Sequence, residues 1–336
     1  MWALKNGTPY AAERNWTRDK DGGHVWIVVV KATFDIRAGG ALALADEQIP
    51  PVLAPVHHGD PAKTSLKYES DLLAVKPGTD VLLNASAHAP GGRAVPQVDV
   101  LLRMDNVSKH LVVHGERSYF NGVVGITTTP PRPFTICPLV YENAFGGSDL
   151  ADPDPGKQRM DKRNPVGKGF AAKSASLVHT PAHRIEYASG SPSSAGPAGF
   201  GPLASYWSPR MELAGTYDAA WAKRKKPLLP DDYDPHHALS SPLDQRSDQW
   251  LRGGELVELL NMTPDALLRF DLPRLYFTYT TRFGNRREEH RGHLATVIIE
   301  PDQRRVMAVY QTSLRVGRRD VPYLDETTIG EKAYVR

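Results

Sequence analysis

Asp231, Asp232, Asp234, His236 and His237 crowd one short segment, with Asp244 close behind. Carboxylate plus imidazole is a metal-binding set on the hard to borderline side, and a metal-dependent hydrolase could use it at 231–237. The spacing matches no standard site. Pro230 and Pro235 prevent a regular helix from aligning the ligands, and the calcium-loop pattern is absent. The plainer reading of the same residues is turn formation and salt bridging to nearby Lys and Arg. His179 and His183 are four apart, but Pro181 lies between them and the HEXXH glutamate is missing. His290 and His293 flank Arg291-Gly292, and His57-His58 sits in a Pro/Gly loop, so both pairs read as solvent-facing or capping. There is no GXSXG, and SGSPSS at 189–194 reads as flexible loop. Cys137 is the single cysteine, and in the strand-like context FTICPLVYE it reads as a buried, inert thiol. No acid and base pair assembles, so the expectation is a non-catalytic protein with no cofactor and no metal.

The stretch 196–245 is where the sequence is least ordinary. Glycine, proline, aromatic and acidic residues crowd together there without helical or strand periodicity. A disordered linker is poor in aromatics, yet Phe200, Tyr206, Trp207, Tyr217, Trp221 and Tyr233 all fall in it. Ordered loops of this length are usually functional. Aromatics and arginine are the residue types that dominate interface hot spots, which makes the stretch a candidate docking platform. Core packing under a long loop is the competing account. The glycines of SAGPAGFGP follow no clear strand and open no clear helix, so they mark turns or close approach of the backbone and not a phosphate loop.

The elements that must position this stretch are β-strands. Residues 24–36, HVWIVVVKATFDI, form a β-branched strand with a turn at Gly39-Gly40, and TDVLLNASAHAP predicts a half-buried strand. Val98, Val100, Leu102 and Met104 precede Asp105-Asn106, and Val107, Lys109, Leu111 and Val113 follow it, which predicts an antiparallel hairpin. Residues 253–273 read as strand, turn and strand, and ATVIIEPDQRRVMAVYQTSL as a hairpin around Pro301-Asp302-Gln303. The best short helix runs over 217–226, capped near Thr216 and ended by Pro227. The expected fold is therefore mainly β: antiparallel sheets in a sandwich-like or partly closed barrel body, with long ordered loops and few short helices. A composition shift at TTTPPRPF divides it into an N-terminal β domain, 1–130, and a C-terminal β-rich part, 131–336, which can also pack as one body.

Charge and compartment narrow the function. The 336 residues carry 41 Lys plus Arg against 38 Asp plus Glu, a net charge of +3, so no electrostatic footprint for nucleic acid exists. Basic pairs such as Arg286-Arg287, Arg304-Arg305 and Arg318-Arg319 read as solvated faces. A lone cysteine fits a reducing compartment, no signal peptide opens the chain, and no window approaches the roughly 18 apolar residues of a membrane span. The expected location is the cytoplasm, without membrane insertion.

Six ordered blocks carry a resemblance: PLVYENAFGG, RNPVGKGF, GPAGFGPLASYWSPR, LAGTYDAAW, PLLPDDYDPHHALSSPLDQ and LRGGELVELLNMTP. Together they resemble a bacterial family of unknown biochemical function encoded beside type VI secretion VgrG and PAAR-like genes. Two places depart from the pattern, His236-His237 after the Asp-aromatic-Asp step and LVHTPAHRIEY in the approach to Ile185-Glu186. The resemblance implies an adaptor or chaperone-like accessory protein that binds an effector or PAAR-like tip and helps load it onto the VgrG spike. A structural part that leaves with the spike is the alternative. The resemblance implies no catalytic residues. It makes Tyr141, Glu142, Phe145, Phe200, Tyr206, Trp207, Arg210, Tyr217, Asp218, Trp221, Asp232, Tyr233 and Asp234 the candidate docking set. Neither the cargo nor the oligomeric state follows from it.

Overall fold

The computed structural model describes residues 2–73 and 76–332. Numbering only the strands of the two large sheets, β1 is Ala3–Asn6, β2 Ala11–Arg18, β3 His24–Ile36, β4 Leu42–Leu44 and β5 Thr79–Leu83. β6 Gln97–Met104, β7 Val107–His114, β8 Ile185–Tyr187, β9 Arg246–Ser247 and β10 Leu256–Leu260 follow. β11 Leu267–Asp271, β12 Phe277–Phe283, β13 Arg286–Glu300, β14 Arg305–Val316 and β15 Leu324–Glu331 complete the set.

The larger sheet has ten strands in the order β1-β15-β12-β13-β14-β3-β2, with β4 on β3, β5 on β13 and β9 on β5. Twist accumulates along such a sheet and carries its edges toward each other. Here Trp2 of one edge region stacks on Trp16 of the other at 5.2 Å, and Trp26 Nε1 donates to Thr327 Oγ1 across the interior at 2.8 Å. The result is a nearly closed barrel. Pairing is mostly antiparallel, as expected, but β1 with β15 and β5 with β13 are parallel.

β3 reads as a continuous apolar run because both of its faces are covered. Trp26, Val28, Val30, Ala32, Phe34 and Ile36 enter the main core. Val25, Ile27 and Val29 pack with Leu72 and Val309 on the other side. Lys31 also lies on that covered face and meets Asp71 at 2.9 Å, both side chains buried, which supplies the partner a buried ammonium requires. The expected half-buried strand over TDVLLNASAHAP is instead two pieces. All five residues of β5 are buried, since it lies between β13 and β9. Beyond Asn84 the chain turns away, and Ser86–His88 pairs with Ile136–Pro138, where Cys137 is buried and burial raises its thiol pKa.

The second sheet runs β8-β7-β6-β10-β11. Its hairpin turns at Asp105, whose φ is +51°, and Val98, Val100, Leu102 and Met104 alternate inward as the pattern predicts. Both sheets take strands from either side of residue 130, and one apolar cluster joins residues of both parts. The short helix is Ala219–Arg224, and its cap is Asp218, which accepts from Trp221 N at 2.7 Å, not Thr216. Thr216 donates its backbone N–H and its hydroxyl to Asp232, at 3.0 and 2.7 Å.

Candidate functional site

The first five of the blocks quoted above converge in space, while the sixth lies in the second sheet, paired with β6 and β11. Asn164 donates from Nδ2 to the carbonyls of Tyr141 at 2.8 Å and Phe145 at 3.0 Å, tying the fragment RNPVGKGF to PLVYENAFGG. Phe145-Gly146 also pairs in parallel with Lys168-Gly169. Tyr141 is buried, donates to Gly201 O at 3.0 Å, and takes Trp207 edge-on at 5.7 Å. A Cβ at Gly199 would sit 2.5 Å from the Tyr141 ring, so this glycine is there for close approach.

Within the candidate set, an inner layer holds the loops and an outer layer faces solvent. Tyr141, Phe200, Trp207 and Arg210 are buried, so core packing, and not direct docking, is what these four side chains do. Arg210 is the hub. It reaches Glu69 at 2.5 Å, Leu203 O at 2.7 Å and His237 O at 2.7 Å, joining three segments through one planar fork of donors. Glu142 is likewise committed, accepting from Ser65 N at 2.9 Å and Ser65 Oγ at 2.6 Å.

Tyr206 and Tyr217 form the outer layer, 55% and 52% exposed. Trp221 and Tyr233 are half-buried: Trp221 packs edge-on against Tyr217 at 4.7 Å and donates to Leu228 O at 2.9 Å, and Tyr233 lies against His237. Asp218, Asp232 and Asp234 cap local turns, so their carboxylates stabilise the shape of this rim. Beside it runs a groove of about 760 Å³, lined by Leu203, Pro209, Glu212, Pro242, Leu243 and Asp244 among others. Leu243 is 60% exposed on its lip.

Two buried ions fix this surface to the sheets, and composition did not single out either. Lys109, the inward-facing lysine of β7, is buried and meets Asp244 at 3.0 Å, with the Tyr187 and Phe200 rings about it. Burial pushes its pKa down to about 8, against the opposing pull of Asp244. Asp80 of β5 is buried and accepts from the backbone and hydroxyls of Ser240 and Ser241 at 2.6 to 3.1 Å and from Lys76 at 2.7 Å. Burial alone would raise its pKa; Lys76 and the serine donors bring it below the usual carboxylate value. The signal for Lys109 was in the sequence: a lysine at an inward position of an alternating strand needs a partner.

The ionisable residues weighed for chemistry are divided among structural partners. Asp231 pairs with Lys225, Asp232 with Thr216, Asp234 with His236, and Asp244 with Lys109. Among the described residues no three His, Cys, Asp or Glu side chains are grouped as a metal ion would need. His183 is buried between Tyr119 Oη at 2.7 Å and Glu186 at 2.9 Å, under the edge of Phe145. Burial works against the Glu186 anion, but His114, His183 and Arg117 hold its carboxyl well below the usual range. His290 spans the barrel interior between Thr281 and Thr312, and desolvation brings its pKa down to about 4. Among the described residues no helix is long and apolar enough to cross a membrane.

The chain belongs to the bacterial family DUF2169, described as an uncharacterized protein conserved in bacteria, which matches residues 21–311. No curated protein and no solved structure matches it.

Proposed function

We propose that this DUF2169 member is a non-catalytic adaptor of type VI secretion, working in the cytoplasm of the producing cell. It binds an effector or PAAR-like tip protein and helps load it onto the VgrG spike. One observation carries the reading: motif blocks spread over 138–245 are folded into one surface, with Trp207 and Arg210 buried beneath and Tyr206 and Tyr217 standing out of it. A loop that only bridged two strands would not need so many buried anchors. A rigid aromatic rim beside a groove is the arrangement that hot-spot recognition uses, because it orders little on binding.

The test separates rim from anchor. Tyr206→Ala with Tyr217→Ala should leave melting unchanged and abolish co-purification of the tip protein or effector. Full recovery of cargo with the doubly substituted rim would remove Tyr206 and Tyr217 from the interface and the surface assignment with them. Immunoblotting of secreted fractions distinguishes an adaptor, retained in the cell, from a spike component that leaves with it.

A further inference from the structure

A second opening lies at the mouth of the barrel and shares no lining residue with the loop groove. β12 and β5 both pair with β13, on the edge away from β14, but their ladders do not meet. The first ends at Thr278↔Arg291 and the second begins at Asp80↔Thr296. Between them only Leu294 is bridged, to Leu251, so Gly292 and His293 have no strand partner on this edge among the described residues. The fork opens a cavity of about 1040 Å³. Gly292 keeps it open: a Cβ there would meet the Tyr279 ring at 2.7 Å.

Three features of the opening point to a ligand. The Tyr279 hydroxyl, on a fully buried side chain lining the cavity, has no hydrogen-bond partner among the described residues. Desolvation holds that phenol protonated, so it remains a donor. On the other face of β13, Trp250 stacks on His293 with centroids 3.8 Å apart and leaves 39% of its surface exposed. At the rim, Arg252, Arg291 and Lys332 are exposed and form no ion pair among the described residues; of the two acids there, Asp248 is paired with Arg246 and Glu289 is exposed and likewise without a salt bridge, which leaves the cations in excess.

We propose that the fork is a binding site for a short, extended, acidic polypeptide segment. An extended chain places successive side chains on opposite faces. Laid along the Gly292-His293 edge it meets the phenol side and the Trp250 side alternately, while its backbone uses the open ladder positions. Its carboxylates answer the three cations at the rim. A mononucleotide would use the ring stack and the cations, but among the described residues the lining has no glycine-rich turn of backbone N–H groups to hold a phosphate, and the N–H of nearby Gly254 is already given to Leu272 O at 2.8 Å.

The proposal is independent of the adaptor reading, and its test uses purified full-length protein with labelled decapeptides: a central Phe, Tyr or Trp flanked by Asp and Glu, and the same series with Lys in place of the acids. Fluorescence anisotropy should show the acidic series binding at least ~10-fold more tightly, weakening as salt rises. Arg252→Glu with Arg291→Glu should abolish that preference. Tyr279→Phe keeps the ring and removes only the donor; it should weaken binding about 5- to 10-fold while the free protein melts no lower, because the hydroxyl has no hydrogen bond to lose. Equal affinity for both series, no binding by any acidic peptide up to about 1 mM, or displacement by adenosine monophosphate would each overturn the assignment. So would a Tyr279→Phe protein that binds like the original, whatever its melting temperature, since its hydroxyl would then be a buried orphan and nothing more.

Discussion

Trp207 and Tyr206 are neighbours in sequence with opposite roles, and alanine at each makes the contrast measurable. Trp207 is 1% exposed against Tyr141, so Trp207→Ala should cost about 3–5 kcal/mol through cavity formation. Tyr206→Ala should stay within about 0.5 kcal/mol, as surface changes do; urea titration of both proteins checks this. The sequence placed all the aromatics of 196–245 in one functional class, because residue type alone does not say which ring faces inward in a stretch without periodicity. Lys109 makes a pH prediction. Its folded pKa, about 8, lies below the unfolded value near 10.4. Between those values the unfolded chain holds the extra proton, so this group's contribution to stability rises as pH climbs from about 8 to 10.4. The same deprotonation releases Asp244. Lys109→Met should therefore match or exceed the parent in stability while hydrogen exchange at 242–245 quickens, an effect the parent shows only above pH 8. Glu186 has the opposite sign. Its lowered pKa adds stability above the unfolded value of about 4.3, lost as pH falls below it, and Glu186→Gln should flatten the acid limb of a melting-temperature profile.

The strands were legible wherever the covered faces follow the period of the chain. The Asp105-Asn106 hairpin shows its inward residues because one face is apolar and the other wet, and β3 shows a solid run because both faces are covered. β5 misled the reading: TDVLL alternates weakly, but Asp80 and Thr79 are as buried as Val81, and only the partners Ser240, Ser241 and Lys76 make that tolerable. Lys76 is only four residues before Asp80, but Ser240 and Ser241 lie some 160 residues further on, beyond the reach of any local pattern. Asp80→Ala should consequently destabilise by about 3–5 kcal/mol, since it leaves Lys76 buried beside an empty place. It should also free 240–245 from the sheet, seen as new proteolytic cleavage in that segment. The helix cap was misplaced by two residues for a similar reason, Thr216 being taken up by Asp232 from across the loop.

At the scale of the whole molecule, both sheets interleave strands from either side of residue 130, and the loop surface rests on both. Fragment 1–130 expressed alone should show no cooperative melting, because β3 would lose β14 and the β6–β7 hairpin would lose β8 and β10. The same interleaving makes the loop surface rigid, anchored to β7 by Lys109 and to β5 by Asp80. That rigidity is what the adaptor reading requires, and it is tested most directly by co-purifying the tagged protein from its native host while the type VI apparatus is assembled, with partners identified by mass spectrometry. The account predicts stoichiometric recovery of a PAAR-like tip or effector protein, lost when Tyr206 and Tyr217 are both replaced. Recovery of the protein alone from cells with the apparatus demonstrably assembled would contradict it.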